Sequence, residues 1–565
     1  MSEEPRLGRV NPESADAAPR TMCEAFQATV AAHPEQVALR IPGGAVELTF
    51  ADYDARVRAV AAGLAAIGVG RGDTVAMMLL NRVEFSICDA AAMHLGATPF
   101  SIYNTSSPEQ IAYLFGNAGN RVVITETQFL DRIREAGVDG VEQIVCIDGE
   151  PEGTISLAAL ESAGSPDFDF DAAWRAVEPG DLVTLCYTSG TTGPPKGVQL
   201  THANVLAEAL GFDGIVSLAA GDRTTSYLPH AHMADRQSSH YNAMVFGLQI
   251  TMVDDPAKVV AALPDVRPTT WTAVPRIWEK LKAALEAQGI ADPNAIGEEG
   301  RRAVLEKLGL DECRVAFVGA APSPVELLQY FQDLGLNVCE VWGMSELTCV
   351  ATCNPPERIK LGTVGVALEG VEVELADDGE LLCRGPILMQ GYRNDPERTA
   401  EAIDSEGWMH TGDIAEIDDD GYVTIVDRKK ELIINAAGKN MSPANIEARL
   451  KSSSALIGQA VAIGDRRPYN VALIVLDPDV SAKWAAEHGI DGSPAALTGH
   501  ESVQAEVERG VAEANSHLSR VEQIKRFTVL PADWLPGGDE LTPTMKLKRK
   551  PIAEKYAAEI EGLYG

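Results

Sequence analysis

Residues 187–198 read Tyr-Thr-Ser-Gly-Thr-Thr-Gly-Pro-Pro-Lys-Gly-Val and directly follow the apolar run Leu182–Cys186. The stretch carries five hydroxyl-bearing side chains, three glycines and one lysine. Glycines let backbone N–H groups come close to an anion, while hydroxyls and an ammonium add donors and charge. The segment reads as a phosphate-handling loop at the end of a strand. It is not the nucleotide loop in which four residues separate a glycine from Gly-Lys-Ser/Thr. Gly190, Gly193 and Gly197 are too closely spaced for that, and Lys196 is followed by Gly197.

Elsewhere strands and helices alternate. The Ala-rich stretch Arg56–Ile67 has helical spacing, Thr74–Leu80 reads as a short buried strand and Glu84–Leu95 as another helix. A strand at Arg121–Thr125, a helix at Gln128–Ala136 and a strand at Gln143–Ile147 follow, and the phosphate loop leads into a helix from Asn204. Such alternation implies α/β layers around largely parallel sheets. After about Gly362 the texture changes. Val371–Arg384 and Asp413–Asp427 alternate apolar and polar residues around Asp378-Gly379 and Asp420-Gly421, each a hairpin signal. Mixed α/β character returns after Arg428-Lys429-Lys430, leaving roughly 130 residues, enough for a second small domain. The expected fold is a large N-terminal domain of layered α/β sheets with a small β subdomain, 1–427, and a smaller C-terminal α/β domain, 428–565.

With 82 acidic against 47 basic residues, the net charge of −35 argues against broad binding to nucleic acid or anionic membranes. Met1–Arg20 is polar, without the apolar centre of an export signal, and no apolar run reaches the ~20 residues that span a bilayer. A cytoplasmic protein is expected, without integral membrane association. The nine cysteines contain no Cys-x-x-Cys pair, which suggests neither a disulfide framework nor a zinc ribbon. Cys349 and Cys353 are expected on one helical turn.

Three further clusters carry chemistry. Val341-Trp342-Gly343-Met344-Ser345-Glu346 offers an aromatic plate that can stack on a base, a hydroxyl, and a carboxylate of the kind that holds Mg²⁺ beside phosphates. Trp408-Met409-His410-Thr411-Gly412-Asp413 ends on an aspartate placed just before a hairpin, suited to accept from ribose hydroxyls. Leu541-Thr542-Pro543-Thr544-Met545-Lys546-Leu547-Lys548-Arg549-Lys550 sets a lysine in a dense basic stretch of an acidic protein. His230-Ala231-His232 with Asp235 and His240 has the look of a metal site, yet nothing else in the chain supplies the remaining ligands.

Taken in order, these motifs resemble the adenylate-forming family: acyl-CoA synthetases, luciferases and the adenylation domains of peptide synthetases. The resemblance runs from Leu48-Thr49-Phe50-Ala51-Asp52-Tyr53 to Lys546 and includes Asp427-Arg428-Lys429-Lys430 and Gly438-Lys439-Asn440-Met441-Ser442-Pro443. Ile102-Tyr103-Asn104-Thr105-Ser106-Ser107-Pro108 and the segment 541–549 look most like long-chain fatty acyl-CoA synthetases. One departure is Trp342, where the family usually has tyrosine. The indole still stacks, but a tyrosine hydroxyl contact is expected to be lost.

The resemblance implies a ligase that joins a fatty acid to CoA through an acyl-AMP intermediate, with Mg²⁺ as cofactor and ATP and CoA as co-substrates. It places Thr188, Ser189, Gly190, Thr191, Thr192, Gly193 and Lys196 on the β- and γ-phosphates and Glu346 on Mg²⁺. Gly319, Ala320 and Ala321 line the floor near the adenine, beside Trp342, Gly343, Met344 and Ser345. Asp413 takes the ribose hydroxyls with help from Arg428, and Lys546 bridges carboxylate and α-phosphate. Lys546, Glu346, Thr191 and His232 form the catalytic set, with His232 at the carboxylate and acyl end. The smaller domain is expected to be mobile, with its hinge at Lys430, bringing Gly438, Lys439 and Asn440 beside the pantetheine tunnel. Alternatives are a fatty acyl-AMP ligase, a medium-chain or aryl-CoA ligase, and an inactive nucleotide-binding regulator. A fatty substrate allows weak peripheral contact with membranes.

Overall fold

The computed structural model describes residues 18–188, 194–434, 440–535, 537–542 and 545–565. Its largest sheet has eight strands. Six run parallel in the order 182–188, 98–101, 74–78, 122–125, 143–146 and 155–156. Thr74–Met78 is buried along its whole length, which is why it reads as a continuous apolar run rather than an alternating one. Helix Val83–His94 is buried on every side, including His94 and Asp89.

Capping decides several helix starts more sharply than apolar spacing does. The helix expected from Arg56 begins at Phe50, because Thr49 and Asp52 form a reciprocal capping box. The helix expected from Asn204 begins at His202, because Asn204 is the third residue of a capping box with Thr201.

A second correction concerns the phosphate loop. Strand β1 (Leu182–Thr188) is followed by strand β2 (Lys196–Thr201), antiparallel to it, before that helix starts. The loop is therefore flanked by two antiparallel strands, and the helix starts only at His202. Strand β3 (Val338–Trp342) closes a parallel run with 270–273 and 315–318 in a five-stranded sheet. The short strand β4 (Gly391–Tyr392) adds to the outer edge of β2. Strands β5 (Met409–Ile417) and β6 (Val423–Arg428) pair antiparallel beside the hairpin 372–384. Both Asp-Gly hairpins stand where the alternation put them.

Cys349 and Cys353 do not share a helical turn. Cys353 lies in the two-residue strand Thr352–Cys353, paired with Val341, and Cys349 follows a single 3-10 turn at Ser345–Leu347. All nine cysteines are free. From Ile433 to Val529 a separate hydrophobic core packs around strands 457–463, 470–476 and 524–529. Ion pairs join it to the rest: Arg276 with Asp477, Arg449 with Glu326 at 2.5 Å, and Lys280 with Asp479 at 3.3 Å. Among the described residues, no helix is long and apolar enough to cross a membrane.

Candidate active site

The hairpin register sets Thr188 opposite Lys196 at the end of the paired strands. Ser189, Gly190, Thr191, Thr192 and Gly193 lie outside the described residues, as do Gly438, Lys439 and the side chain of Asn440. Lys196 turns back from the hairpin. Its ammonium donates to the Tyr392 hydroxyl at 3.2 Å and lies 4.3 Å from the centre of that ring. Tyr392 in turn donates to Glu346 Oε1 at 2.8 Å.

Glu346 follows β3 by four residues, in the 3-10 turn Ser345–Leu347, where its carbonyl accepts from the N–H of Met389 at 2.9 Å. Ser345 Oγ lies 3.4 Å from Cys186 Sγ, so this turn rests against β1. The turn is tight because position 343 has no side chain. A Cβ on Gly343 would stand 1.9 Å from the Cys349 carbonyl oxygen. Gly319 and Ala320 follow the neighbouring parallel strand 315–318, and a Cβ on Gly319 would meet Val341 Cγ2 at 2.8 Å. Ala320 holds a left-handed φ of 67°.

Trp342 closes β3 and donates its indole N–H to Asp413 Oδ2 at 2.8 Å. Asp413 is not in a turn before the hairpin; it lies inside β5, opposite Arg428 on β6. Arg428 Nε pairs with Asp413 Oδ1 at 2.7 Å, and the aspartate N–H donates to Thr411 Oγ1 at 3.1 Å. Burial pushes the Asp413 carboxyl up, while Arg428, Trp342 and Lys546 oppose that push.

Lys546 arrives from the far end of the chain. Met545 takes a φ of 65°, the Thr542 N–H donates to the Lys546 carbonyl at 2.8 Å, and the Lys546 N–H donates to Thr542 Oγ1 at 3.0 Å. Desolvation in the crowded cleft and the Arg428 charge push its ammonium down, and Asp413, Glu346 and Glu431 oppose them. The same ammonium acts on His232, which burial and Lys546 together push down to about 4. His232 Nδ1 accepts from the Ala234 N–H at 3.1 Å and caps the short helix Met233–Asp235. Lys546, Asp413, Glu346 and His232 thus belong to one cleft.

The neighbours of His232 are structural. Asp235 accepts from Ser226 Oγ at 2.7 Å and from the N–H groups of Tyr227 and Leu228, and it lies 3.0 Å from His230 Nδ1. His230 stacks on Phe85, and His240 and Arg236 both reach the buried Asp89. Among the described residues, no group of three metal-ligating side chains forms. Past β6, Lys429 pairs with Asp378 at 2.5 Å and Glu380 at 2.9 Å, whereas Lys430 makes no ion pair among the described residues.

Glu346 fits a divalent cation. It is buried, makes no ion pair among the described residues and stands beside the phosphate hairpin. Mg²⁺ takes one or two carboxylates plus substrate phosphates in just such surroundings. Tyr392, Arg236 and Asp89 were not marked from sequence. Only the Gly-Tyr pair at 391–392 could have flagged one of them, by its place at a strand edge.

The profile of the AMP-binding enzyme family matches residues 26–393, and that of the AMP-binding enzyme C-terminal domain matches 430–565. The chain belongs to the AMP-binding enzyme family. With it comes the adenylate-forming superfamily that the motifs resemble, and a division into a large N-terminal and a smaller C-terminal part. A Mycobacterium tuberculosis protein that carries the provisional name fatty-acid–CoA ligase fadD11 is 52% identical over 449 residues, 73% of this chain and 79% of its own. Long-chain-fatty-acid–CoA ligase FadD15 of Mycobacterium bovis is 33% identical over 564 residues, 93% of each chain. The fold is shared with the adenylation domain of a carboxylate reductase from Mycobacterium chelonae, at TM-score 0.80 and 21% identity over 97% of this chain and 92% of that one.

Proposed function

We infer that the chain is an AMP-forming fatty acid–CoA ligase that favours long chains. The observation that carries the reading is Lys546, a cation whose charge acts on Asp413, Glu346 and His232 at once. An adenylating enzyme needs a cation where the carboxylate meets the α-phosphate. The names of the relatives above supply the acid and the thiol.

In the first half-reaction, a carboxylate oxygen attacks the α-phosphorus of ATP, the α–β bridging P–O bond breaks, and pyrophosphate leaves with the electron pair. Positioning and charge supply most of the catalysis in such a step. The 188–196 hairpin holds the β- and γ-phosphates, with Lys196 as the charge. Asp413, steadied by Arg428, accepts the ribose hydroxyls. Trp342 and Gly319–Ala321 frame the adenine. His232 stays neutral at the carboxylate end; with Nδ1 accepting from the Ala234 N–H, its Nε2–H donates one hydrogen bond without adding charge. Bound Mg²⁺ at Glu346 supplies charge to the outer phosphates. Lys546 neutralises the charge that gathers between carboxylate and α-phosphate.

In the second half-reaction, the CoA sulfur attacks the acyl carbon, the acyl C–O bond to phosphate breaks, AMP leaves, and the thiol proton passes to solvent. Rotation of 428–565 about Lys430 over 1–427 brings Gly438, Lys439 and Asn440 to the pantetheine path. ATP and CoA make the cytoplasm the working compartment.

The test is pyrophosphate release from Mg·ATP with short, medium and long fatty acids and aryl acids, with and without CoA. CoA-dependent turnover that peaks at long chains is expected. Release that stops after one equivalent despite CoA would instead identify an acyl-AMP ligase with another acceptor.

A further inference from the structure

We propose that Tyr392 is a positioning residue of the nucleotide site: its phenol sets the Glu346 carboxylate for the divalent cation and keeps Lys196 from pairing with it. The inference rests on the Mg·ATP reading above and extends it to a residue that no motif marks.

The backbone of Tyr392 is clamped on both sides. Strand β4 pairs it with Val198 on β2, its N–H donates to Thr399 Oγ1 at 2.9 Å, and the Arg393 N–H donates to the Gly197 carbonyl at 2.7 Å. It is thus fixed to the arm of the hairpin that carries Lys196. The ring is 5% exposed. A phenol owns one proton and accepts through its lone pairs. Giving that proton to Glu346 Oε1 at 2.8 Å leaves the oxygen free to accept from Lys196 Nζ at 3.2 Å. Both contacts are satisfied together by the one hydroxyl.

What the phenol prevents matters as much as what it makes. Lys196 and Glu346 carry opposite charges in one pocket, yet no ion pair forms between them among the described residues. A direct pair in a buried setting would be costly to open. Nucleotide binding would have to break it, because phosphate and divalent cation each need one partner. With Tyr392 between them, Lys196 leaves only a neutral hydrogen bond and a ring face. The Tyr392–Glu346 bond does not have to break at all. It fixes the carboxylate's rotation, as outer hydrogen bonds do for other metal-binding carboxylates.

The deciding experiment titrates Mn²⁺, as a paramagnetic stand-in for Mg²⁺, into protein with ATP and no fatty acid, reading free Mn²⁺ by electron paramagnetic resonance. Tyr392→Phe keeps the ring and removes the hydroxyl. It is expected to weaken Mn²⁺ by about 10- to 100-fold, the scale seen when such outer contacts are lost. Tyr392→His, which keeps a ring donor, is expected to recover part of that loss. A Glu346→Gln, Tyr392→Phe double variant should bind no more weakly than Glu346→Gln alone, because the phenol acts through that carboxylate. Mn²⁺ affinity in Tyr392→Phe within twofold of the parent overturns the inference, as does additive loss in the double variant. Parent protein without cation-dependent ATP binding would instead overturn the nucleotide reading on which the inference rests.

Discussion

Trp342 and Asp413, 71 residues apart in sequence, are joined at 2.8 Å by the indole N–H. The aromatic that departs from the family's usual tyrosine therefore makes a polar contact of its own, on the carboxylate assigned to the ribose. Trp342→Phe keeps a stacking ring and removes the donor. The buried Asp413, already pushed up by burial, then loses one of the contacts that hold it down. The KM for ATP is expected to rise by ~10-fold, the scale of one lost hydrogen bond to a charged group. Because the carboxylate must be ionised to accept from ribose, the defect should deepen toward acid pH. Steady-state kinetics at acid and neutral pH checks it; an unchanged KM at both would remove Asp413 from the ribose role.

Lys546→Ala is expected to lower acyl-AMP formation by ~10²-fold or more, the scale of one preorganised charge. Thioester formation from supplied acyl-AMP should fall much less. Desolvation and Arg428 push the ammonium below its ordinary range, so the parent's adenylation rate should decline on the alkaline side earlier than an ordinary lysine would dictate. Lys546→Arg, charged at any working pH, should flatten that decline. Single-turnover pyrophosphate release in the three proteins decides the matter.

Folding stability is expected to peak near neutrality on its acid side. Burial pushes His94 and His232 down to about 4 and His202 to about 3, from an ordinary 6.5. Burial also pushes Glu208 and Glu340 up to about 8, from 4.5. From pH 6.5 to 8 the folded chain keeps two carboxyl protons that the unfolded chain has lost, so stability falls as pH rises, by about 2.7 kcal/mol per unit. Among these five groups, from pH 4.5 to 6.5, the unfolded chain binds three histidine protons against the folded chain's two carboxyl protons. Stability there rises with pH by about 1.4 kcal/mol per unit. Thermal unfolding across this range should show its maximum near pH 6.5. Glu208→Gln should halve the alkaline fall; an equal fall in that variant would mean Glu208 is ionised in the folded chain.

Among the ion pairs between the two parts of the chain is that of Arg276 with Asp477, present in the arrangement in which Lys546 enters the cleft. Arg276→Met should lower adenylation by up to about fivefold, the equivalent of ~1 kcal/mol for a partly exposed pair, and leave the thioester step unaffected. Lys430→Pro should hinder one half-reaction far more than the other, since a fixed φ blocks rotation there. Equal loss of both half-reactions in Lys430→Pro would place the pivot elsewhere.

Much of this molecule was legible as local signal. The buried strand at 74–78 and the two Asp-Gly hairpins follow from short-range rules: continuous apolar runs and turn residues. The early helix starts at Phe50 and His202 were also local, written in capping pairs that spacing alone passes over. Cys349 and Cys353 misled because a four-residue gap suits a helical turn equally well as a turn followed by a strand. Nothing local distinguishes the two when the following strand has only two residues.

The order of the motifs along the chain determined the family and the reaction class, because each motif carries its own chemistry wherever it lies. What the sequence could not decide is which groups share a pocket. Trp342 meets Asp413, Tyr392 stands between Lys196 and Glu346, and Lys546 lowers His232 only after strands from distant segments are set side by side. Those contacts depend on sheet register and on the packing of one core against another. Hydrogen bonds and charge interactions act over a few ångströms, while the partners lie from 46 to 314 positions apart along the chain.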